Sequence, residues 1–194
     1  MTEAFYNHLA KTRHQIHQHP EVSGEEHETT VFLKAYLKNI GVEPLNYPLK
    51  TGLIAEIGSG HPIIALRADI DALPIKEKTG LPYASNNGAM HACGHDGHMT
   101  ALLGLAYKLK DVQDLPHNVL LIFQPGEEVV NGAPSIINTG IFEKYHVKGI
   151  YGLHMFPDVD EGKIACRKGP LMAESGELDV TVHGKSAHAG KYHE

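Results

Sequence analysis

The sequence predicts an α/β fold in which a mixed β-sheet is flanked by helices, followed by the start of a smaller α+β domain. Short runs of branched apolar residues alternate with longer segments whose apolar residues recur at helical spacing. Several short runs end in acidic residues or histidine, as expected where the strand ends of an α/β sheet line a crevice. Near residue 176 the pattern changes to alternation, which is typical of a sheet with one face in water. We therefore expect one domain over residues 1–175 and the beginning of another over 176–194.

The composition favours a cytoplasmic protein with reduced cysteines. Of the 194 residues 42% are hydrophobic, and the net charge of -6 comes with no basic stripe, which argues against binding to nucleic acid or to an anionic membrane. We find no apolar run long enough to span a bilayer and no secretory signal at the N-terminus, so Cys93 and Cys166 are expected to be free thiols. The 15 histidines are unusual and raise the chance of a metal site.

Two helices are predicted at the start of the chain, over residues 3–18 and 24–39. Ser23 and Glu26 have the spacing of a capping box for the second helix. The pattern R-x-x-x-H-x-x-P-E spans residues 13–21, but alone it is too weak to indicate a function. Both helices are therefore interpreted as structural.

Two short runs rich in branched residues, 53–57 and 62–67, predict adjacent strands of one sheet. The second run leads into Asp69 and Asp71. Two aspartates at the end of a buried strand cost free energy unless they hold a metal ion, a ligand or one another's partners. A simple turn role for Asp71 is the alternative.

Residues 91–98, H-A-C-G-H-D-G-H, are the most informative stretch and precede a helical run. Three histidines, a cysteine and an aspartate supply soft and borderline metal ligands with a carboxylate to orient them. In an extended segment Cys93 and His95 would point the same way and could reach one metal ion or two adjacent ones. Asp96 is the predicted N-cap of the helix, whose dipole would favour the thiolate of Cys93. The alternative is a polar loop with a buried cysteine.

Residues 118–123 are almost continuously apolar and predict a strand covered on both faces. The strand leads into residues 124–128, Q-P-G-E-E, and another helical stretch opens near residue 131. Adjacent carboxylates raise the pKa of one of the pair unless cations lie nearby, and a base that shuttles a proton needs such tuning. A solvated acidic turn is the alternative for Glu127 and Glu128.

A further strand is predicted over residues 149–154, and it ends in His154. A lone histidine is more often a core or surface residue, but this one repeats the pattern of the other strand ends. Strand-like runs follow at 162–166 and 177–183. Because the sequence stops soon after this new element begins, we expect the chain to be the front part of a longer one.

Four motifs occur in order along the chain: R-A-D-I-D-A-L-P, H-A-C-G-H-D-G-H, Q-P-G-E-E and G-L-H-M. With them the chain strongly resembles the peptidase M20 family of metallopeptidases and amidohydrolases over essentially its whole length. The amidohydrolase branch matches best, with its aminoacylase, hippurate hydrolase, N-acetyl-diaminopimelate deacetylase and auxin-conjugate hydrolase types. The resemblance implies a zinc-exopeptidase-like catalytic domain over 1–175 and the start of a lid or dimerisation domain over 176–194.

The resemblance also implies an activity, cofactors and residue roles. We expect metal-dependent hydrolysis of the amide bond of small N-acyl amino acids, with two divalent ions, Zn²⁺ or Mn²⁺, and a homodimer in the full-length form. The implied metal ligands are Cys93, His95, Glu128 and His154. The implied catalytic residues are Glu127 as general base, Asp69 and Asp71 in the motif that orients the site, and His188, which would reach the substrate from the lid.

Two alternatives stay open. A dipeptidase or carboxypeptidase of the same family would use the same groups on a different amide. Members of the family are about twice as long as this chain, and their second half would supply a late histidine that completes the metal site. The other alternative is therefore an inactive fragment that binds metal or a partner without turning over substrate.

Overall fold

The computed structural model describes residues 2–58, 60, 63–129, 131–171, 178–186 and 188–190. The chain divides into two compact units, Met1–Met155 and Phe156–Glu194. Within the described ranges, no helix has both the length and the apolar character needed to cross a membrane.

The first unit contains the helices and strands that the sequence predicts, with most bounds shifted by a few residues. In chain order they are α1 (Glu3–Gln18), α2 (His27–Asn39), β1 (Leu53–Ile57), β2 (Ile63–Asp69), α3 (His95–Leu109), β3 (Asn118–Gln124), α4 (Gly132–Ile137), α5 (Ile141–Lys144) and β4 (Val147–Gly152).

Helix α2 begins later than predicted because Ser23 and Glu26 do not form a capping box. Glu26 is the N-cap residue, but its side chain makes no capping hydrogen bond. The Glu21 carboxylate accepts hydrogen bonds instead from the backbone N–H groups of Glu28 and Thr29, at 3.1 and 2.8 Å. The side chains of Ser23 and Glu26 are therefore free to contact other parts of the fold.

The four strands form one mixed sheet in the order β1-β3-β2-β4. Strand β1 pairs antiparallel with β3, whereas β2 pairs parallel with both β3 and β4. The prediction that β1 and β2 are neighbours is wrong, because β3 lies between them. All seven residues of β3 are buried, and each large apolar side chain gains about 1.5–3 kcal/mol on burial. This strand therefore takes the centre of the sheet, as its continuous apolar sequence predicts.

Helices cover both faces of the sheet and form two cores. Apolar side chains of α1, α2 and α3 pack on one face, and those of α4 and α5 pack on the other. Neighbouring residues of β3 illustrate the division, since Leu121 belongs to the first core and Ile122 to the second. The mixed sheet flanked by helices is thus confirmed.

The parallel strands bring the predicted site residues to one edge of the sheet. Asp69 is the last residue of β2 and pairs with Gln124, the last residue of β3. Strand β4 runs in the same direction and ends two residues before His154. Carboxyl ends of parallel strands meet at one edge, which is where ligand sites form in α/β sheets.

The described residues of the second unit, which spans Phe156–Glu194, form turns, bends and segments without regular secondary structure, and contain no helix or strand. The predicted strand at 162–166 is therefore wrong, and so is the described part, 178–183, of the strand predicted at 177–183. A strand needs a paired neighbour for its N–H and C=O groups, and none is found in the described portion of this unit. The predicted domain boundary near residue 176 stays a prediction.

Candidate active site

Seven of the eight predicted site residues lie at the carboxyl edge of the sheet in the first unit. They are Asp69, Asp71, Cys93, His95, Glu127, Glu128 and His154. They come from the ends of β2, β3 and β4 and from the segment that opens α3. Segments far apart in the sequence are therefore joined by the parallel pairing of the strands.

The side chain of His95 is the centre of this cluster and is 1% exposed. Its Nε2 atom lies 3.5 Å from Asp69 Oδ2, 3.9 Å from Glu127 Oε2 and 3.9 Å from Glu128 Oε1. Within the described part of the chain, this Nε2 atom has no hydrogen-bond partner. Buried polar atoms are nearly always satisfied, so a nitrogen that faces three carboxylates without a hydrogen bond is suited to binding a cation.

The other ring nitrogen of His95 fixes the direction of its lone pair. Nδ1 lies 2.9 Å from the carbonyl oxygen of Asp71. Because a carbonyl can only accept, Nδ1 carries a proton, so that in the neutral form of the ring the lone pair lies on Nε2 and faces the carboxylates. Burial lowers the pKa of His95, but the hydrogen bond to Asp71 and the charge of Asp69 outweigh it and raise the pKa. The surroundings therefore favour a positive charge, which a proton or a metal ion can supply.

Cys93 and His154 form the outer part of the cluster. Cys93 Sγ is 3.5 Å from His154 Nε2, and His154 Nδ1 donates to the carbonyl of Met155 at 2.7 Å. Nδ1 is thus the nitrogen that donates, and Nε2 is the nitrogen that faces the thiol. Cys93 lies in a turn rather than in the extended segment that we expected. Burial raises the pKa of Cys93 to about 11, together with the negative charges of Glu128 and Glu127, and these effects outweigh the preference for the thiolate that we expected from the helix dipole.

The Asp69 carboxylate accepts hydrogen bonds from two side chains. His98 Nδ1 donates to Asp69 Oδ1 at 2.6 Å, and Arg67 donates to Oδ2 at 2.8 Å. Burial raises the pKa of Asp69, but these neighbours and the charge of His95 outweigh it and lower the pKa to about 2. The Met155 N–H donates to His98 Nε2 at 2.8 Å, so both ring nitrogens of His98 are occupied. Its position one helical turn after His95 was the sequence signal for this supporting role.

Asp71 connects the aspartate motif to the turn that carries Glu127 and Glu128. Its Oδ2 accepts hydrogen bonds from Ser23 Oγ at 2.6 Å and from the Glu128 N–H at 2.9 Å. Burial raises the pKa of Asp71, but hydrogen bonds from His95, Ser23 and Glu128 outweigh it and lower the pKa. The pKa of Glu128 is raised, mainly by burial and also by the charge of Glu127. The Asp71 carboxylate is therefore an anion that holds the turn carrying Glu127 and Glu128. A simple turn role would leave its side chain exposed.

Asp96 does not cap helix α3, as the sequence had predicted. The helix starts directly after Gly94, which has a φ of 89°. The buried Asp96 carboxylate instead accepts hydrogen bonds from Arg13 Nε and His17 Nδ1 on α1, each at 2.9 Å. The R-x-x-x-H pattern of α1 thus supports the first turn of the helix that carries His95. The sequence alone did not show that the Arg13 and His17 positions of the N-terminal motif serve this supporting role.

Among the residues that the structure describes, three groups of side chains could hold a metal ion, with ligand atoms that lie within 4.8 Å of one another. One comprises Cys93, His95 and His154, and a second comprises His95, Glu127 and Glu128. The third joins Asp69, His95 and His98, but His98 has no nitrogen free. The first two groups share His95 and contain the unpartnered buried atoms His95 Nε2 and Glu128 Oε1. The donor set therefore fits divalent metal ions.

His188, the eighth predicted residue, lies in the second unit. Its side chain is exposed, and its Nδ1 accepts a hydrogen bond from the Gly190 N–H at 3.1 Å. Its proposed reach toward the substrate stays a prediction.

At the strand ends of this α/β sheet, cysteine, histidine and carboxylate donors surround a buried imidazole. This arrangement is typical of proteins with a metal-dependent hydrolytic centre, and the site is a candidate for one. Residues 65–191 match the model of Peptidase family M20/M25/M40. The chain belongs to this family.

The chain is similar to two curated proteins of Bacillus subtilis. It is 50% identical over 189 residues to the N-acetyl-L-cysteine deacetylase of Bacillus subtilis strain 168, covering 95% of this chain and 45% of that protein. It is 44% identical over 193 residues to an N-acetylcysteine deacetylase of the same strain, covering 97% of this chain and 50% of that protein. The chain thus spans about half the length of the curated relatives it matches.

Solved structures show the same fold. A dinuclear metal-binding peptidase of the M20 family from Bacillus subtilis matches with a TM-score of 0.84 and 44% identity, over 88% of this chain and 49% of that one. A putative aminohydrolase from methicillin-resistant Staphylococcus aureus matches with a TM-score of 0.75 and 38% identity, over 83% of this chain and 44% of that one.

Proposed function

We propose that this chain carries the metal ligands and the general base of an amidohydrolase that cleaves the amide bond of small N-acyl amino acids. The observation that supports this most directly is the buried Nε2 of His95, which faces Glu127 and Glu128 at 3.9 Å each. The family assignment and the two deacetylase relatives favour the reaction class.

The proposed metal ligands are Cys93, His95, Glu128 and His154, for two divalent ions. Sulfur, imidazole and carboxylate donors suit Zn²⁺ or Mn²⁺. When bound, such ions lower the pKa of a water molecule and polarise the carbonyl group of an amide. Asp71 keeps the ring of His95 turned toward the ions, because it holds the proton of Nδ1 on the opposite side.

Glu127 is the proposed general base. Its side chain is 41% exposed, so a water molecule and a substrate can both approach it. The carboxylate accepts a proton from the water that adds to the amide carbon, and then donates this proton to the nitrogen as the C–N bond breaks. The products are a carboxylic acid and the free amino acid.

His188 is the proposed donor to the oxyanion that forms on the carbonyl oxygen. One well-placed donor of this kind contributes about 3–4 kcal/mol of transition-state stabilisation. We expect the full-length protein to form a homodimer, in which the domain that begins near residue 176 would place this histidine. Replacement of His188 by Ala should then lower kcat while metal content stays the same.

A peptidase activity is the second candidate. One structural neighbour is a dinuclear metal-binding peptidase, and the same ligands and base would serve a dipeptide. The two candidates differ in the group on the acyl side of the bond, which is a simple acyl group in one and an aminoacyl group in the other.

The test combines metal analysis with substrate hydrolysis on one preparation of the full-length gene product. Metal content is measured by elemental analysis, and hydrolysis is measured with N-acetyl amino acids, among them N-acetylcysteine, with N-benzoyl amino acids and with dipeptides. A parallel assay of the 194-residue chain alone tests whether this part suffices. We expect close to two metal ions per full-length chain, and turnover of N-acyl amino acids that a chelator abolishes and added metal restores.

Hydrolysis that persists without metal would overturn the proposal. Turnover of dipeptides with none of N-acyl amino acids would replace the first candidate by the second. If the protein binds metal but turns over none of these substrates, the alternative interpretation as a non-catalytic metal-binding protein would replace both candidates.

A further inference from the structure

Glu26 is a completely buried carboxylate to which the proposed mechanism gives no role. It is 0% exposed and lies at the start of α2. A buried carboxylate is costly unless hydrogen bonds compensate it. Glu26 is also the N-cap residue of α2, a position from which a side chain ordinarily caps its own helix, yet here Glu21 caps the helix.

The carboxylate of Glu26 contacts a distant segment of the chain. Oε1 accepts a hydrogen bond from the Gly126 N–H at 2.8 Å, across a sequence separation of 100 residues. Oε2 accepts one from the hydroxyl of Thr51, also at 2.8 Å. Gly52, the next residue, packs against the same turn, where an added Cβ would lie 2.7 Å from Pro125 Cδ. Glu26 therefore binds the turn that follows β3 rather than its own helix.

The turn is held on both sides of Glu127 by the same kind of contact. The amide before Glu127, that of Gly126, donates to Glu26, and the amide after it, that of Glu128, donates to Asp71 at 2.9 Å. Hydrogen bonds from N–H groups to carboxylates are stronger than those between neutral groups. The backbone of Glu127 thus lies between two amides, each bound by a buried carboxylate.

We propose that Glu26 is a positioning residue that fixes the Glu127 carboxylate in the geometry for proton transfer, by binding the Gly126 amide. This inference rests on the proposed function, because it takes Glu127 as the base. A displacement of about 1 Å at a reacting group can lower a rate about 100-fold. The loss of Glu26 should therefore lower kcat with little change in KM, since Glu26 is fully buried and out of reach of a substrate.

Three substitutions at Glu26 separate positioning from simple stabilisation. Glu26→Gln can keep both contacts, because its amide oxygen accepts from Gly126 and its NH₂ group donates to Thr51 Oγ. Glu26→Asp is one methylene shorter and cannot span both partners, and Glu26→Ala removes both contacts. Glu21→Ala is the matched control, since it removes a carboxylate that caps α2 and does not contact the turn. Glu25→Ala, at an exposed neighbour, controls for the loss of charge.

In the full-length gene product, we expect kcat to fall about 10- to 100-fold in Glu26→Ala and Glu26→Asp, with KM and metal content within about twofold of the unchanged protein. Glu26→Gln should keep kcat within about threefold, and Glu21→Ala should lower thermal stability without this loss of kcat. A kcat that is unchanged in Glu26→Ala, or lowered as much in Glu26→Gln as in Glu26→Ala, would overturn the inference.

A second measurement does not depend on activity. Hydrogen exchange of the Gly126 amide, followed by NMR in the metal-free protein, should be faster in Glu26→Ala than in the unchanged protein and in Glu21→Ala. Equal exchange in all three proteins would overturn the inference even if turnover falls. If Glu127→Gln keeps full turnover, the proposed base is wrong. In that case, exchange that is faster only in Glu26→Ala would still show that Glu26 binds the Gly126 amide. The inference that this contact serves proton transfer would nevertheless be wrong, because Glu127 would not be the base.

Discussion

The buried side and the open side of the candidate centre differ in how their residues are held. On the buried side, Asp69, Asp71 and His95 are each at most 1% exposed and have hydrogen-bond partners on α3, in turns or in the segment after β2. On the open side, Cys93 and Glu127 are partly exposed and His154 is exposed. The buried side is fixed by the fold, whereas the open side has room for ligands.

We therefore expect the two sides to have different roles in metal binding and catalysis. Buried carboxylates with depressed pKa values stay negative beside His95, so the field that attracts a cation exists before any metal binds. The residues of the open side can then close around metal and substrate. Substitutions on the open side should therefore change chemistry more than stability, and those on the buried side should change metal affinity and stability together.

The largest effect is expected for Glu127→Gln on the open side. The amide cannot accept the proton of the attacking water, so kcat should fall about 10²- to 10⁴-fold. Because Glu127 is partly exposed and is not one of the proposed metal ligands, the metal content and the denaturation midpoint should stay close to those of the unchanged protein. Steady-state kinetics together with elemental analysis checks both expectations. Unchanged turnover would remove Glu127 as the base, and a loss of metal would make it a ligand.

A smaller but broader effect is expected for Asp71→Ala on the buried side. The change leaves the Ser23 hydroxyl and the Glu128 N–H without their acceptor and removes a carboxylate beside His95. Loss of such a supporting group lowers metal affinity by about 10- to 100-fold, and each of these partly buried donors, left without its acceptor, costs up to about 3 kcal/mol. Competition with a chelator measures the affinity, and urea denaturation measures the stability.

The control for that substitution is Asp111→Ala, at an aspartate whose side chain is 79% exposed. It should change neither quantity. If Asp71→Ala lowered turnover alone, with metal affinity and stability intact, the distinction between the two sides would be wrong at this residue.

Much of the fold and the site could be predicted from short-range patterns. The apolar run at β3 predicted a strand covered on both faces, and this strand is buried at the centre of the sheet. The polar residues that follow the strands predicted that Asp69, Glu127 and His154 would lie where strand ends meet. Their placement could be predicted because one segment of sequence contains both the strand and the polar residue after it, and parallel strands bring such ends together without further information.

The rest depends on contacts between distant segments. The order of β1 and β2 in the sheet could not be read from the glycine-rich connection between them, because the partner strand β3 comes about fifty residues later in the chain. The raised pKa of Cys93 also depends on a distant segment, since the charges of Glu127 and Glu128 contribute to it from the end of another strand. Ser23 and Glu26 have the spacing of a local cap, and only the fold shows that their partners are Asp71 and Gly126.

An intermediate effect is expected for Cys93→Ser, and it depends on pH. A thiol with a pKa of about 11 is protonated at neutral pH, so metal binding at sulfur must displace that proton. Metal affinity of the unchanged protein should therefore rise by about tenfold more per pH unit between pH 7 and 9 than that of the serine variant. Metal titrations at several pH values measure this difference, and Cys166→Ser, at an exposed thiol, is the control. Equal pH dependence in all three proteins would show that Cys93 is not a ligand.

The smallest effect is expected for Arg13→Ala, at the outer end of the buried side. Arg13 Nε donates to Asp96 Oδ2, but the Arg13 side chain is 45% exposed, so water screens its charge. His17 Nδ1 donates to the same oxygen from a buried position, and it remains in the variant. The free energy of unfolding should fall by less than about 1 kcal/mol, while His17→Ala should cost more because it removes the buried donor. Lys11→Ala, on the exposed surface of the same helix, controls for loss of charge, and urea denaturation with chelator competition is the measurement. If Arg13→Ala instead lowered metal affinity as much as Asp71→Ala, the orientation of the first turn of α3 would depend on a surface ion pair, and the buried side would extend to the surface of α1.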